Sequence, residues 1–140
     1  MPGKRKSWRE KREIDKTSKR VVLLAPFAGV PAGATLFVGT PRLIDDYIRK
    51  IPAGTVRTME FLRNDLARRH RADATCPAST AIFVRIAAEA AWDELQAGAA
   101  PEEVTPFWRV VEPGSKLARK LRCDPDWIAH RRTLETGSRP

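Results

Sequence analysis

Cysteine is scarce in this chain: only Cys76 and Cys123 occur in 140 residues, and neither sits in a CxxC pair. That excludes a disulfide framework and fits a reducing, cytoplasmic setting. Long apolar runs are also missing. None approaches the ~20 residues that span a bilayer, and no signal-peptide core follows the basic start. The expectation is a soluble protein without a membrane partner. There is no Gly-rich phosphate loop and no Ser/His/Asp constellation, and His70 and His130 are the only histidines. Together with Cys76 and Cys123 they would make four zinc ligands, but their spacing fits no finger pattern, so neither a metal nor another cofactor is expected.

Positive charge, by contrast, is plentiful: 26 Lys and Arg against 17 Asp and Glu, a net of +9. Such a balance suits a polyanionic partner, because neutralising phosphates releases condensed counterions. The excess is uneven. Met1–Arg20 carries nine cations against three acids, so this stretch alone holds +6. It reads either as a solvated, flexible basic tail or as an arm that touches nucleic acid. Residues 21–137 form the expected domain, with 138–140 a frayed end.

Within that domain, Val21–Leu24 and Thr35–Val38 are short apolar or β-branched runs around a Pro/Gly-rich connection, read as two strands or a hairpin. Thr40-Pro41 is a helix start, a polar cap followed by a proline whose missing N–H costs nothing there. Leu43, Ile44, Tyr47 and Ile48 then recur at helical spacing, giving a helix over about 41–50 that Ile51-Pro52-Ala53-Gly54 stops. A second helix, over about 58–70, turns Met59, Leu62 and Leu66 inward and a row of arginines outward. A third, over about 79–97, is apolar most of the way round and belongs in the middle of a small domain. Its exposed edge begins with Ser79, Ile82 and Arg85 and then turns acidic at Glu89 and Asp93, so only its N-terminal end suits a phosphate. Phe107–Val111 is a strand candidate. Lys116–Arg122 is a basic wing or a short helix. Asp124-Pro125 opens a last helix over about 125–135, with Trp127, Ile128 and Leu134 inward and Arg131 and Arg132 outside. The pattern predicts a mainly α fold with a small β component, a winged helix-turn-helix.

Three stretches carry a resemblance. Pro41 through Ile51-Pro52-Ala53-Gly54-Thr55-Val56-Arg57-Thr58 resembles the helix and turn that open the DNA-binding domain of alkylguanine-DNA alkyltransferases, the methylated-DNA–protein-cysteine methyltransferases. Pro106-Phe107-Trp108-Arg109-Val110-Val111 resembles their active-site strand, and Arg131–Gly137 their closing helix. The likeness covers roughly Pro41 to Gly137, in order. It is nearest to a branch of that superfamily whose members share the stretches around Thr75-Cys76-Pro77, Ile82-Phe83 and Pro106–Arg109. The resemblance implies the C-terminal-domain fold of that family, double-stranded DNA as partner, entry from the minor groove and a role in DNA repair. The departures matter for activity. The family's acceptor cysteine and the following histidine fall on Phe107 and Trp108, so alkyl transfer at this motif is chemically excluded. The family's nucleotide-rotating tyrosine aligns with Met59, and its intercalating arginine falls near Ile82. Apolar side chains at those places either wedge a base step or mark the loss of base flipping.

The candidate site residues follow, each with a plainer alternative. Phe107, Trp108 and Arg109 line a pocket that stacks a flipped base, as in alkyltransferase-like proteins with Trp in place of Cys, or the two rings complete a core. Arg57, Met59, Arg63, Ser79, Thr80, Ile82 and Arg85 face DNA, or Arg85 pairs with Glu89 one turn away. Lys116, Arg119, Lys120 and Arg122 straddle a phosphate backbone, or share a solvated face. Cys76 either acts as a displaced alkyl acceptor with His70 as base or is a small buried thiol. The leading expectation is a non-enzymatic DNA-binding protein. The rival is a protein-interaction or regulatory module with the same fold, and a third is an acceptor enzyme through Cys76.

Overall fold

Polar caps and prolines set the helix boundaries. In the computed structural model, which describes residues 5–137, the Thr40 hydroxyl accepts from the Leu43 N–H and Pro41 takes the first helical position, starting α2 (Pro41–Arg49). Thr58 caps α3 (Met59–Arg69) in the same way through Phe61 N–H. Asp124 and Pro125 open α6 (Pro125–Thr136), which ends on Gly137 in the left-handed conformation that glycine tolerates best. The long helix α4 (Pro77–Gln96) begins two residues earlier than the apolar pattern indicates. Pro77 is its first residue, where a proline's missing N–H costs nothing. The expected frayed end at 138–140, and Met1–Lys4 of the basic tail, lie outside the described residues.

The basic tail is not loose where it is described. Ser7 and Glu10 form a reciprocal capping box at 2.9 and 3.1 Å, which starts α1 (Trp8–Arg12). This short helix packs on α4. Arg12 is buried, and its guanidinium donates to both carboxylate oxygens of Glu94 on α4 at 3.1 and 3.4 Å. A Ser-x-x-Glu box and one partnered arginine thus give order to a segment whose charge alone argues for disorder.

The chain continues through β1 (Lys19–Val22) and β2 (Thr35–Val38), an antiparallel pair with Lys19 opposite Val38 and Val22 opposite Thr35. The two-residue β3 (Ala74–Thr75) adds to β2 in parallel, so β2 is central and β1 is an exposed edge. Among the described residues the fold is therefore mainly helical with a small three-stranded sheet. No described helix is long and apolar enough to cross a membrane.

α4 is central. Val84, Ala87, Ala88, Ala90 and Ala91 are buried along it, and the small alanines let its neighbours approach closely. α2 and α3 pack around it with Ile44, Ile48, Leu62 and Leu66. Glu89, expected on the exposed edge, is only 1% exposed. Arg122 reaches back to it at 3.0 Å and to Asp93 at 2.8 Å, covering the acidic stripe.

The segment expected as a strand, Phe107–Val111, folds as a 3-10 turn over Phe107–Arg109. Val110 and Val111 N–H both donate to the Phe107 carbonyl, at 3.1 and 2.9 Å. Its aromatic and β-branched residues satisfy burial on all sides and no ladder: Phe107, Trp108, Val110 and Val111 are at most 1% exposed. Lys116–Lys120 is the short helix α5 and not a β wing. On α6, Ile128 is sealed, Leu134 is exposed instead of inward, and Arg132 turns inward.

Candidate nucleic-acid interface

Two helix N-termini and the turn before α5 enclose a cavity of about 330 Å³. Arg57, Met59 and Arg63 reach it from the cap and first turns of α3, and Ala81 from the first turns of α4. Val110 lies across from them, and Ser115, Lys116 and Leu117 close the side where α5 begins. The lining is apolar between the cations, through Val56, Met59, Ala81, Val110 and Leu117. Exposed Glu112 is its one acidic residue. Among the described residues Arg57, Arg63, Lys116 and Arg119 form no ion pair. Their charge is therefore available to an anion, and the positive end of the α3 dipole adds to it.

Two arginines hold the far wall in place. Arg109 donates from Nη1 to the Ile51 carbonyl at 2.6 Å and from Nε and Nη2 to the Glu135 carboxylate at 2.9 and 2.6 Å. The Arg57 N–H in turn donates to the Arg109 carbonyl at 2.8 Å. Arg132 donates to the carbonyls of Trp108 at 2.6 Å and Val111 at 3.0 Å. It lines the cavity with no ion-pair partner among the described residues, and burial lowers its pKa against the opposing charge of Glu112. Gly54 makes the turn that brings Arg57 here, with φ +83; a Cβ there would lie 3.4 Å from the Glu135 carbonyl oxygen.

Burial is the largest single influence on the Glu135 carboxyl and would raise it, but the hydrogen bonds and charge of Arg109, with Trp108 and the Gly54 backbone, together hold the group below the usual carboxylate range. A carboxyl lowered on folding stabilises the protein above its unfolded pKa, and that contribution disappears as pH falls through the folded value. Glu135→Gln is expected to cost about 3 kcal/mol at neutral pH, since it leaves a buried guanidinium unpaired. Its penalty should shrink in acid, as followed by thermal unfolding of both proteins across that range.

The expected base pocket is corrected by burial. Phe107 and Trp108 are 0% and 1% exposed. Trp127 stacks on Phe107 at 5.8 Å between ring centroids and meets Trp108 edge-on at 5.6 Å. These rings complete the core, and no face is left for a base. Arg109 is the clamp just described, not a pocket wall. Thr80 is also buried, and its hydroxyl donates to the Cys76 carbonyl at 2.6 Å, so it does not face DNA. Ser79 is half-buried, with its Oγ enclosed and without a hydrogen-bond partner among the described residues. Arg85 lies 3.8 Å from Glu89 and its guanidinium 5.3 Å from the Trp8 ring centroid, facing α1. Ile82 stays 58% exposed, and Arg119 is exposed on α5.

Cys76 is buried at the start of α4, and among the described residues no hydrogen bond joins it to His70, whose ring stacks on Phe37 at 3.9 Å. Burial pushes the Cys123 thiol up to about 11, which makes it inert. Of the expected DNA-facing residues, then, Arg57, Met59, Arg63 and Lys116 converge on one cavity. Val56, Ala81, Val110, Ser115, Leu117 and Arg132 complete it, and sequence reasoning misses them. Ser115 alone has a local signal, as the polar residue ending a Pro-Gly turn. Comparison of the chain with protein-family models, with curated proteins and with solved structures finds no match.

Proposed function

We propose that this chain is a non-enzymatic DNA-binding protein of the alkyltransferase-like type, a helix-turn-helix unit in which α5 stands where a wing would be. The single observation that carries this reading is the cavity at the N-terminal ends of α3 and α4. It gathers Arg57, Met59, Arg63 and Lys116 from segments far apart in sequence, with the three cations in no ion pair among the described residues. Phosphates of a duplex bind Arg57, Arg63 and Lys116, and exposed Ile82 lies against the groove. An unstacked base enters the apolar cavity, where half-buried Met59 and Leu117 meet its faces. Arg132, a donor in no ion pair, meets a carbonyl or ring nitrogen on its edge. This replaces the stack on Phe107 and Trp108 with a pocket beside them. The cytoplasm, or a nucleoid, and a place in DNA repair follow from the same reading.

The test is titration of duplexes with and without an alkylated guanine, at low and moderate salt, read by fluorescence anisotropy. Binding should weaken steeply with salt, and the alkylated duplex should bind more tightly. Equal affinity for the two duplexes would remove the base pocket while leaving general DNA binding. No retention at low salt would overturn the proposal.

One observation favours the rival reading of a protein-interaction module. The β1–β2 hairpin exposes Leu24 at 97%, Val22 at 60% and Phe27 at 46%. Such a patch, running from the end of edge strand β1 into the connection that follows, suits a protein partner.

A further inference from the structure

α3 carries a second surface on its outer side, adjoining the cavity at its N-terminus through Arg57. On this side a hollow of about 270 Å³ lies between Arg57, Phe61, Arg68 and Arg69 of the α3 region and Tyr47 of α2 with Lys50 just after it. Beyond its last turn a basin of about 400 Å³ is lined by Lys19 and Arg20 of β1 and by Arg69, His70 and Arg71. Arg57 belongs both to the cavity and to the hollow, and Arg69 both to the hollow and to the basin. The three depressions therefore adjoin one another along the stretch from Arg57 to Arg69, roughly 18 Å at the helical rise. A neighbouring depression shares Tyr47, Lys50, Arg69 and His70 with them and adds exposed Asp15 and Asp46 beside Lys16 and Arg42.

The chemistry along the hollow and the basin is consistent. Among the described residues Lys19, Arg20, Lys50 and Arg71 form no ion pair. Asp65 is the one carboxylate lining these two depressions, and it is buried beneath the surface. It accepts from Tyr47 Oη at 2.7 Å and bonds Arg68 and Arg69. Its pKa is lowered, first by the Tyr47 hydrogen bond and then by Arg69. Exposed Glu60 precedes Phe61 on the same helix. At the centre of the path, Phe61 is 44% exposed with the Arg57 guanidinium 4.6 Å from its ring centroid. At the far end, Arg71 adopts a left-handed backbone, φ +54, which non-glycine residues avoid unless their surroundings impose it. His70 beside it is held by the flat stack on Phe37.

An exposed aromatic between two cations in no ion pair among the described residues, Arg57 and Lys50, is of little use to a duplex, whose bases stack on one another. It suits a single strand, whose phosphates follow the cations while a free base lies on the ring. We propose that the outer face of α3 binds single-stranded nucleic acid, with Phe61 and Arg57 as its stacking platform and the Lys19/Arg20/Arg71 basin as a phosphate seat. This rests on the nucleic-acid reading above and assigns it a second, single-strand surface.

The experiment uses the full chain and a fluorescein-labelled thymidine homopolymer, which offers stacking without a readable sequence, with a duplex in parallel. Phe61→Ala should weaken homopolymer binding about tenfold, and Phe61→Tyr should restore it. K19Q/R20Q/R71Q should lower the salt dependence of that binding by about two units of slope. Both sets should leave duplex binding within about twofold. K19E/R20E, confined to an exposed strand, repeats the test without touching the strained position. Homopolymer binding that ignores all these changes, with the duplex still bound, would overturn the single-strand surface alone. Failure of the unaltered protein to bind either ligand at low salt would overturn this proposal and the DNA reading together.

Discussion

R57Q/R63Q/K116Q is expected to lower the salt dependence of duplex binding by about 2.7 units of slope, because each phosphate no longer neutralised removes about 0.9. At low salt the variant should bind more weakly by orders of magnitude. At high salt, where counterion release contributes little, the gap should narrow. Three reasons place the largest functional effect here. The three side chains reach one cavity from two separate parts of the chain. They have no acidic partner among the described residues, so replacement breaks no ion pair inside the fold. Arg57 and Arg63 are half-buried and Lys116 is exposed, so glutamine keeps most of the stem packing. Anisotropy titrations over a salt series give the slope directly. A variant with the slope of the unaltered protein would show that phosphates bind elsewhere.

Trp108→Ala is expected to cost about 3–5 kcal/mol of stability. The side chain is 1% exposed and sits among Phe107, Trp127 and the guanidinium of Arg131, which lies 5.5 Å from its ring centroid. Removing it leaves a void that the segment cannot readily close, because Arg132 fixes the carbonyls of residue 108 itself and of Val111. For a chain of this size the change corresponds to a fall in Tm of roughly 10–20 °C, at about 3–4 °C per kcal/mol. Calorimetry and DNA binding together make the result decisive. A core ring predicts a large fall in Tm, with binding retained at temperatures where the variant remains folded. A stacking surface predicts the opposite pair, intact stability and abolished affinity.

The contrast between these two side-chain sets shows what a linear sequence reveals. Thr40-Pro41, Thr58 and Asp124-Pro125 act within one helical turn, so the starts of α2, α3 and α6 can be read from neighbouring residues. Ser7 and Glu10 are equally local, yet the charge around them invites a reading of disorder. Phe107–Val111 fails for a different reason. Aromatic and β-branched residues suit a strand and a fully enclosed turn alike, and only the absence of a neighbouring strand among the described residues decides between them. β3 is two residues long and exists through its pairing with β2, which no local signal announces. The cations of the cavity are readable as a group because arginine rarely faces inward. Arg132 is not, since its inward turn depends on carbonyls at positions 108 and 111 brought near by the tertiary fold.

The docking of α1 on α4 changes how the amino end of this protein should be handled. Arg12 neutralises Glu94, and Trp8 shields Arg85, so residues that look dispensable form part of the folded assembly. Removing residues 7–12 would uncover the side of α4 that carries Arg85 and Glu94 and strand that acid without its guanidinium.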